Sequence, residues 1–149
     1  MTAFLLCRLQ ASLLATLLPV AGQVSCGFPS PAADYELPEL SLDALVGIRP
    51  TSSIFLMRAW GHSMRDAGIH DGDILIIDKA GKAQPGDVVV AVIGAEFVVK
   101  TLEEDEEGRM QLVAANPDYK PIRLGDDEVL EVWGVCLWVL HSLAGRSPA

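Results

Sequence analysis

Two residues of this chain are suited to nucleophilic chemistry, Ser63 and Lys100. Ser63 stands in the run Trp60-Gly61-His62-Ser63-Met64-Arg65-Asp66-Ala67-Gly68-Ile69-His70-Asp71-Gly72-Asp73. A strand ending near Trp60, a glycine that lets the backbone turn and a serine opening a short helical turn would present the hydroxyl. The same turn would leave the backbone N–H groups of Ser63 and Met64 free to bind an oxyanion. Taken alone, Ser63 reads more readily as a plain helix N-cap. Lys100 lies in Glu96-Phe97-Val98-Val99-Lys100-Thr101-Leu102. On a strand it shares a face with Val98 and Leu102. Apolar neighbours remove water from the ammonium group and lower its pKa. A neutral amine can take the proton of a serine hydroxyl, the variant of triad logic in which lysine replaces histidine. Taken alone, Lys100 is also what an edge strand carries to block aggregation, its head in water.

Other arrangements fit these residues less well. Gly61-x-Ser63 lacks the second glycine of a nucleophile elbow, because Arg65 occupies that place. His62 adjoins Ser63 and would point away from it on an extended segment, so no Ser/His/Asp triad can be built. The cysteines, Cys7, Cys26 and Cys136, and the histidines, His62, His70 and His141, follow no metal-ligand spacing. No metal and no cofactor is expected. An odd number of cysteines reads as free thiols in a reducing compartment.

The elements that must position Ser63 and Lys100 are short strands. Ile54–Trp60, Asp73–Asp78, Asp87–Ile93, Glu96–Leu102, Met110–Ala114 and Val129–Leu140 are apolar or alternating runs rich in Val, Ile and Leu. Turn residues, among them Asn116-Pro117-Asp118, separate them, and no long helical period links them, so the fold class is mainly β and not βαβ. Gly94-Ala95 predicts a two-residue hairpin joining Val88–Ile93 to Glu96–Leu102, the glycine supplying a positive φ. The acidic run Glu103–Glu107 reads as a solvated hairpin tip. Before Ile54, Pro29, Pro31, Pro38 and Pro50 punctuate an irregular arm, and Ser41–Leu45 holds at most one or two helical turns.

With 149 residues, the chain suits one domain with a core. A net charge of -9 gives no electrostatic footprint for nucleic acid, so strong direct DNA binding is not expected. The N-terminus is apolar from Phe4 to Val20 with Arg8 as its one charge, followed by Ala21 and Gly22. That pattern also admits a secretory signal. It is too short and too interrupted, by Arg8, Gln10 and Pro19, for a membrane span.

Taken together, these motifs resemble the LexA/UmuD family of self-cleaving proteins. Gly61-His62-Ser63-Met64 with Gly68-Ile69 and Asp71-Gly72-Asp73 looks like its serine motif, and Phe97-Val98-Val99-Lys100 like its lysine motif. Gly86-Asp87-Val88-Val89 and Glu128-Val129-Leu130-Glu131-Val132-Trp133-Gly134-Val135 fit in register. The segment from Ser25 to Tyr35 resembles the arm around the self-cleavage point of the UmuD type, rather than the repressors. The likeness runs from about Val24 to Leu140. Residues 1–22 depart from it by being more apolar, and His62 stands where an acidic residue is more usual.

The resemblance implies a peptidase fold of twisted, mostly antiparallel sheets with a flexible N-terminal arm. It implies Ser63 as nucleophile, Lys100 as base and the bond Cys26–Gly27 as the one cut. Residues 1–26 would be the arm removed, 27–53 a linker, 54–142 the peptidase-like domain and 143–149 a flexible tail. It further implies a cytoplasmic homodimer of the SOS response. Cleavage would be triggered by a RecA–single-stranded DNA filament. The product would join a UmuC-like Y-family polymerase subunit in translesion synthesis, with the polymerase sliding clamp as a further candidate partner. Three other readings compete: a signal-peptidase-like Ser/Lys protease, a LexA-like repressor, for which a DNA-binding domain is missing, and a non-enzymatic polymerase-binding module with a vestigial dyad.

Overall fold

A computed structural model describes residues 1–8, 17–18, 40–48, 53–123 and 130–144. Its strands are β1 (Thr2–Arg8), β2 (Leu17–Leu18), β3 (Leu40–Ser41), β4 (Ile54–Trp60), β5 (Ile74–Asp78), β6 (Val88–Ile93), β7 (Glu96–Glu104), β8 (Met110–Val113) and β9 (Glu131–Leu140). The helix α1 spans Leu42–Leu45. The mainly β reading stands, with strand limits within about two residues of those expected, the usual uncertainty of element ends.

Met1–Leu9 and Ser52–Ala149 form one compact unit, and Gln10–Thr51 a second. In the second, β2 pairs antiparallel with β3, and Ser41 caps α1 by accepting a hydrogen bond from the Ala44 N–H at 3.1 Å. This is the single short helix that Ser41–Leu45 predicted. In the first unit the strand order is β1-β4-β5-β9-β6-β7-β8, and every pairing is antiparallel. β1 also meets β7, at Thr2 and Val98, so six strands close on themselves and β8 extends β7 outside the ring.

Closure explains where the apolar N-terminus goes. The expected arm over residues 1–26 contributes β1 to the ring, laid along β4 from Thr2 opposite Trp60 to Arg8 opposite Phe55. Without it, β4 and β7 would each present a free edge to solvent. Apart from Leu17 and Leu18, residues 9–26 lie outside the described residues.

The alternation read from sequence sorts β6 onto two buried faces. Val90 joins Met57, Ala59, Met64, Ile69, Leu75, Ile77 and Val99 in one core cluster. Val89 and Ala91 join Leu102 and Leu112 in another. The hairpin from β6 to β7 turns at Gly94, whose φ of 61° lies in the left-handed region that glycine accepts freely. At the next tip, Asp105 Oδ1 accepts the N–H groups of Glu107 and Arg109 at 2.9 Å, so the acidic run folds as an exposed turn. No described helix is long and apolar enough to cross a membrane.

Candidate active site

Ser63 follows β4 by three residues. Gly61, at φ 97°, turns the chain off the strand, and its N–H donates to Asp71 Oδ1 at 2.7 Å. A short 3-10 turn, Arg65–Ala67, then brings the backbone round to Gly68, which is left-handed at φ 76°. Asp71 and Gly68, quoted from the serine motif as a pattern, thus have physical tasks. One ties the start of the loop to its end, and the other closes the turn. Met64 is fully buried in the main core cluster and anchors the loop, leaving His62 exposed. As expected from its neighbouring position, His62 is not the partner of Ser63.

Lys100 lies mid-strand on β7, opposite Val89 and on the face of Val98 and Leu102. Its Nζ donates to Ser63 Oγ at 2.8 Å and to the Val99 carbonyl at 3.0 Å. Both side chains are buried, Ser63 completely and Lys100 to all but 4%. The two residues that the sequence put on separate elements, 37 positions apart, are therefore brought together. Desolvation holds the Lys100 amine below its ordinary range, partly offset by a hydrogen bond with the N-terminal amine.

That second amine was not foreseen. Because β1 fills the gap between β4 and β7, Met1 sits at the nucleophile. The Val99 N–H donates to the Met1 carbonyl at 2.8 Å, and the Met1 amino group hydrogen-bonds Ser63 Oγ. Two ammonium groups cannot share one hydroxyl at low dielectric cost. Desolvation, the hydrogen bond with Lys100 and repulsion from its charge accordingly bring the Met1 amine from 8.0 down to about 5. At neutral pH it is an uncharged amine.

Asn116 is a positioning residue that sequence reading took only for a turn. It is 4% exposed. Its Nδ2 donates to the His62 carbonyl at 2.9 Å, and its Oδ1 accepts the Asp118 N–H at 3.0 Å. Beside it, the Asp66 N–H donates to the Ala115 carbonyl at 2.9 Å. The loop after β8 thereby grips the nucleophile loop, with Ala115 packed against the core cluster that holds Met64. The backbone N–H groups of Ser63 and Met64 donate to no described residue. Cys26 and Gly27, the expected cleavage site, lie outside the described residues.

Chemically, the arrangement offers a buried hydroxyl, an amine with depressed basicity in hydrogen-bond reach, and backbone donors beside them. These are the parts needed for acyl transfer by a Ser/Lys pair. Comparison with known proteins points the same way. Residues 19–137 match the family described as Peptidase S24-like. Protein SamA of Salmonella typhimurium (strain LT2) is 42% identical over 115 residues, which cover 77% of this chain and 78% of SamA. Protein MucA of Escherichia coli is 42% identical over 122 residues, covering 81% of this chain and 80% of MucA. The LexA repressor of Bordetella petrii is 35% identical over 128 residues, 86% of this chain and 56% of that repressor.

Proposed function

The chain belongs to the Peptidase S24-like family, the LexA/UmuD group that its motifs resembled, and on that premise we propose that it is a serine peptidase that cuts its own Cys26–Gly27 bond. The observation that carries this is the 2.8 Å contact between the buried Lys100 Nζ and Ser63 Oγ. Neutral Lys100 takes the Oγ proton as Ser63 attacks the Cys26 carbonyl carbon. The backbone N–H groups of Ser63 and Met64 receive the oxyanion. The C–N bond breaks, the proton passes from Lys100 to the Gly27 amine, which becomes the new N-terminus of residues 27–149, and residues 1–26 stay esterified to Ser63. Water, deprotonated by Lys100, then hydrolyses the ester and frees the Cys26 carboxylate. Glycine after the bond lets the backbone approach the serine closely. Since the Met1 amine occupies one side of Oγ, Met1 must withdraw before a carbonyl carbon can take that place.

The processed form is read as an accessory subunit of an error-prone translesion polymerase, with a UmuC-like Y-family subunit as partner and the sliding clamp as a further contact. A RecA–single-stranded DNA filament is the trigger, which makes the location cytoplasmic. The charge of -9 favours a protein-mediated DNA role over direct binding. A homodimer is supported by exposed apolar residues at the end of β9 and beyond, Leu137, Trp138, Val139, Leu140 and Leu143.

The test is the intact mass of the purified protein, with and without RecA filaments on single-stranded DNA, beside Ser63→Ala. Loss of residues 1–26 that Ser63→Ala abolishes is the expected result. A cut near Ala21–Gly22 that ignores Ser63 would overturn the reading in favour of an exported protein. A chain that stays whole under every condition would leave a binding module with an idle dyad.

A further inference from the structure

The register of β5 and β9 does something that sequence spacing conceals. Ile74 pairs antiparallel with Leu140, so the next residues outward, Asp73 and His141, stand side by side although 68 positions separate them. The turn leading into β5 adds a third group. The Asp73 N–H donates to the His70 carbonyl at 3.2 Å and the His70 N–H to Asp73 Oδ2 at 2.8 Å, which folds His70 back over the aspartate. As a result Asp73 Oδ1 lies 2.6 Å from His141 Nδ1, Asp73 Oδ2 lies 3.8 Å from His70 Nδ1, and the imidazole centroids are 4.9 Å apart. One ligand atom from each of the three residues falls within 4.8 Å of the others.

From this convergence we propose that His70, Asp73 and His141 form a binding site for a borderline divalent transition metal of the Zn2+ class, separate from the Ser63–Lys100 pair. The donor set is two imidazoles and one carboxylate, which suits Zn2+ or Co2+ and disfavours Mg2+ and Ca2+. The burial pattern matches the demand. The Asp73 side chain is only 3% exposed and supplies a fixed, partly desolvated negative charge. His70 and His141 are 53% and 43% exposed, which would leave a fourth position open to water. Tetrahedral ligation at about 2.0–2.1 Å needs ligand atoms roughly 3.3 Å apart. The two imidazoles face different oxygens of Asp73, so ligation through one of those oxygens requires the rings to turn, the most widely separated ligand atoms closing from within 4.8 Å by up to about 1.5 Å. Backbone anchoring of the carboxylate by the His70 N–H is the outer support that metal carboxylates usually have. The Cys136 thiol is pushed up to about 12 by burial and is a poor competitor for such an ion.

A metal here would clip the turn between the Ser63 loop and β5 to the end of β9. The experiment titrates the full chain, metal-free, with CoCl2 and ZnCl2. Co2+ should bind one per chain, with visible d–d bands of four- or five-coordinate geometry and no thiolate charge-transfer band in the near ultraviolet. Zn2+ at about 100 times its dissociation constant should raise the melting temperature by roughly 5–10 °C. His70→Ala and His141→Gln should each weaken binding by roughly tenfold or more and cut the thermal shift at the same Zn2+ concentration to about half or less. His141→Gln keeps a hydrogen-bonding side chain beside Asp73 without an imidazole, so it separates ligation from structural support. Binding unchanged in both variants, a thiolate band, or no binding even at millimolar Zn2+ would each overturn the site.

Discussion

Raising the pH should speed cleavage through Lys100, and the presence of two amines on Ser63 makes the experiment discriminating. Both amines touch Oγ in the resting chain, but Met1 has to withdraw before a carbonyl carbon can approach, which leaves Lys100 as the base. The Met1 amine is brought down to about 5, whereas Lys100 is lowered from 10.5 by desolvation. The rate follows the fraction of neutral base. It rises about tenfold per pH unit below the pKa of the base and levels off above it. With the Met1 amine as base, the rate would saturate near pH 6 and stay level to about pH 10. With Lys100 as base, the rise follows the titration of the lowered Lys100 amine instead. The assay is loss of residues 1–26 by intact mass across that range. Lys100→Arg, which keeps a permanent charge, and Lys100→Ala should each slow the reaction by roughly 10²- to 10⁴-fold, the usual worth of a general base. A level profile from about pH 6 to 10, or a Lys100→Arg chain cutting at the native rate, would refute the reasoning.

Two further predictions concern the scaffold. Both amines have folded pKa values below their unfolded ones, so the unfolded chain binds more protons in between and stability should rise with pH. The window runs from about 5 to 8.0 for Met1 and extends upward to 10.5 for Lys100; a urea midpoint in Ser63→Ala that is constant or falls between about pH 5.5 and 8 would contradict this. Asn116→Ala removes the grip on the His62 carbonyl and should cost about 1–3 kcal/mol in urea unfolding while slowing cleavage, because a buried acceptor loses its side-chain partner and the nucleophile loop loosens.

The strands were legible because their signals are local, whereas Ser63 and Lys100 were singled out only together, through the family resemblance of their motifs. The unbroken apolar run Val88–Ile93 and the apolar-centred Glu96–Glu104, with Gly94 between, specify a hairpin without reference to the rest of the chain. The apolar face around Lys100 is likewise written on its own strand. What escaped was long-range. Nothing in residues 2–8 announces pairing with β4, and only the two free edges it must fill make sense of it. Asn116 looked like a turn former, yet its amide reaches 54 residues back to His62. The histidines looked scattered because Asp73 and His141 become neighbours only once β5 and β9 are in register.

β1 is the closing stave of the ring, and the proposed cut at Cys26–Gly27 lies downstream of it. A chain that begins at Gly27 no longer contains the strand covalently. Unless the released piece stays in place, the cleft at Ser63 opens and the backbone groups of Leu56–Trp60 on β4 and of Val98 and Val99 on β7 lose their partners. A sheet left with vacant hydrogen-bonding positions is a template that accepts another extended segment. Proteolysis would then do more than shorten the chain. It would convert a self-satisfied barrel into a receptor for a foreign strand, offered at the site that made the cut.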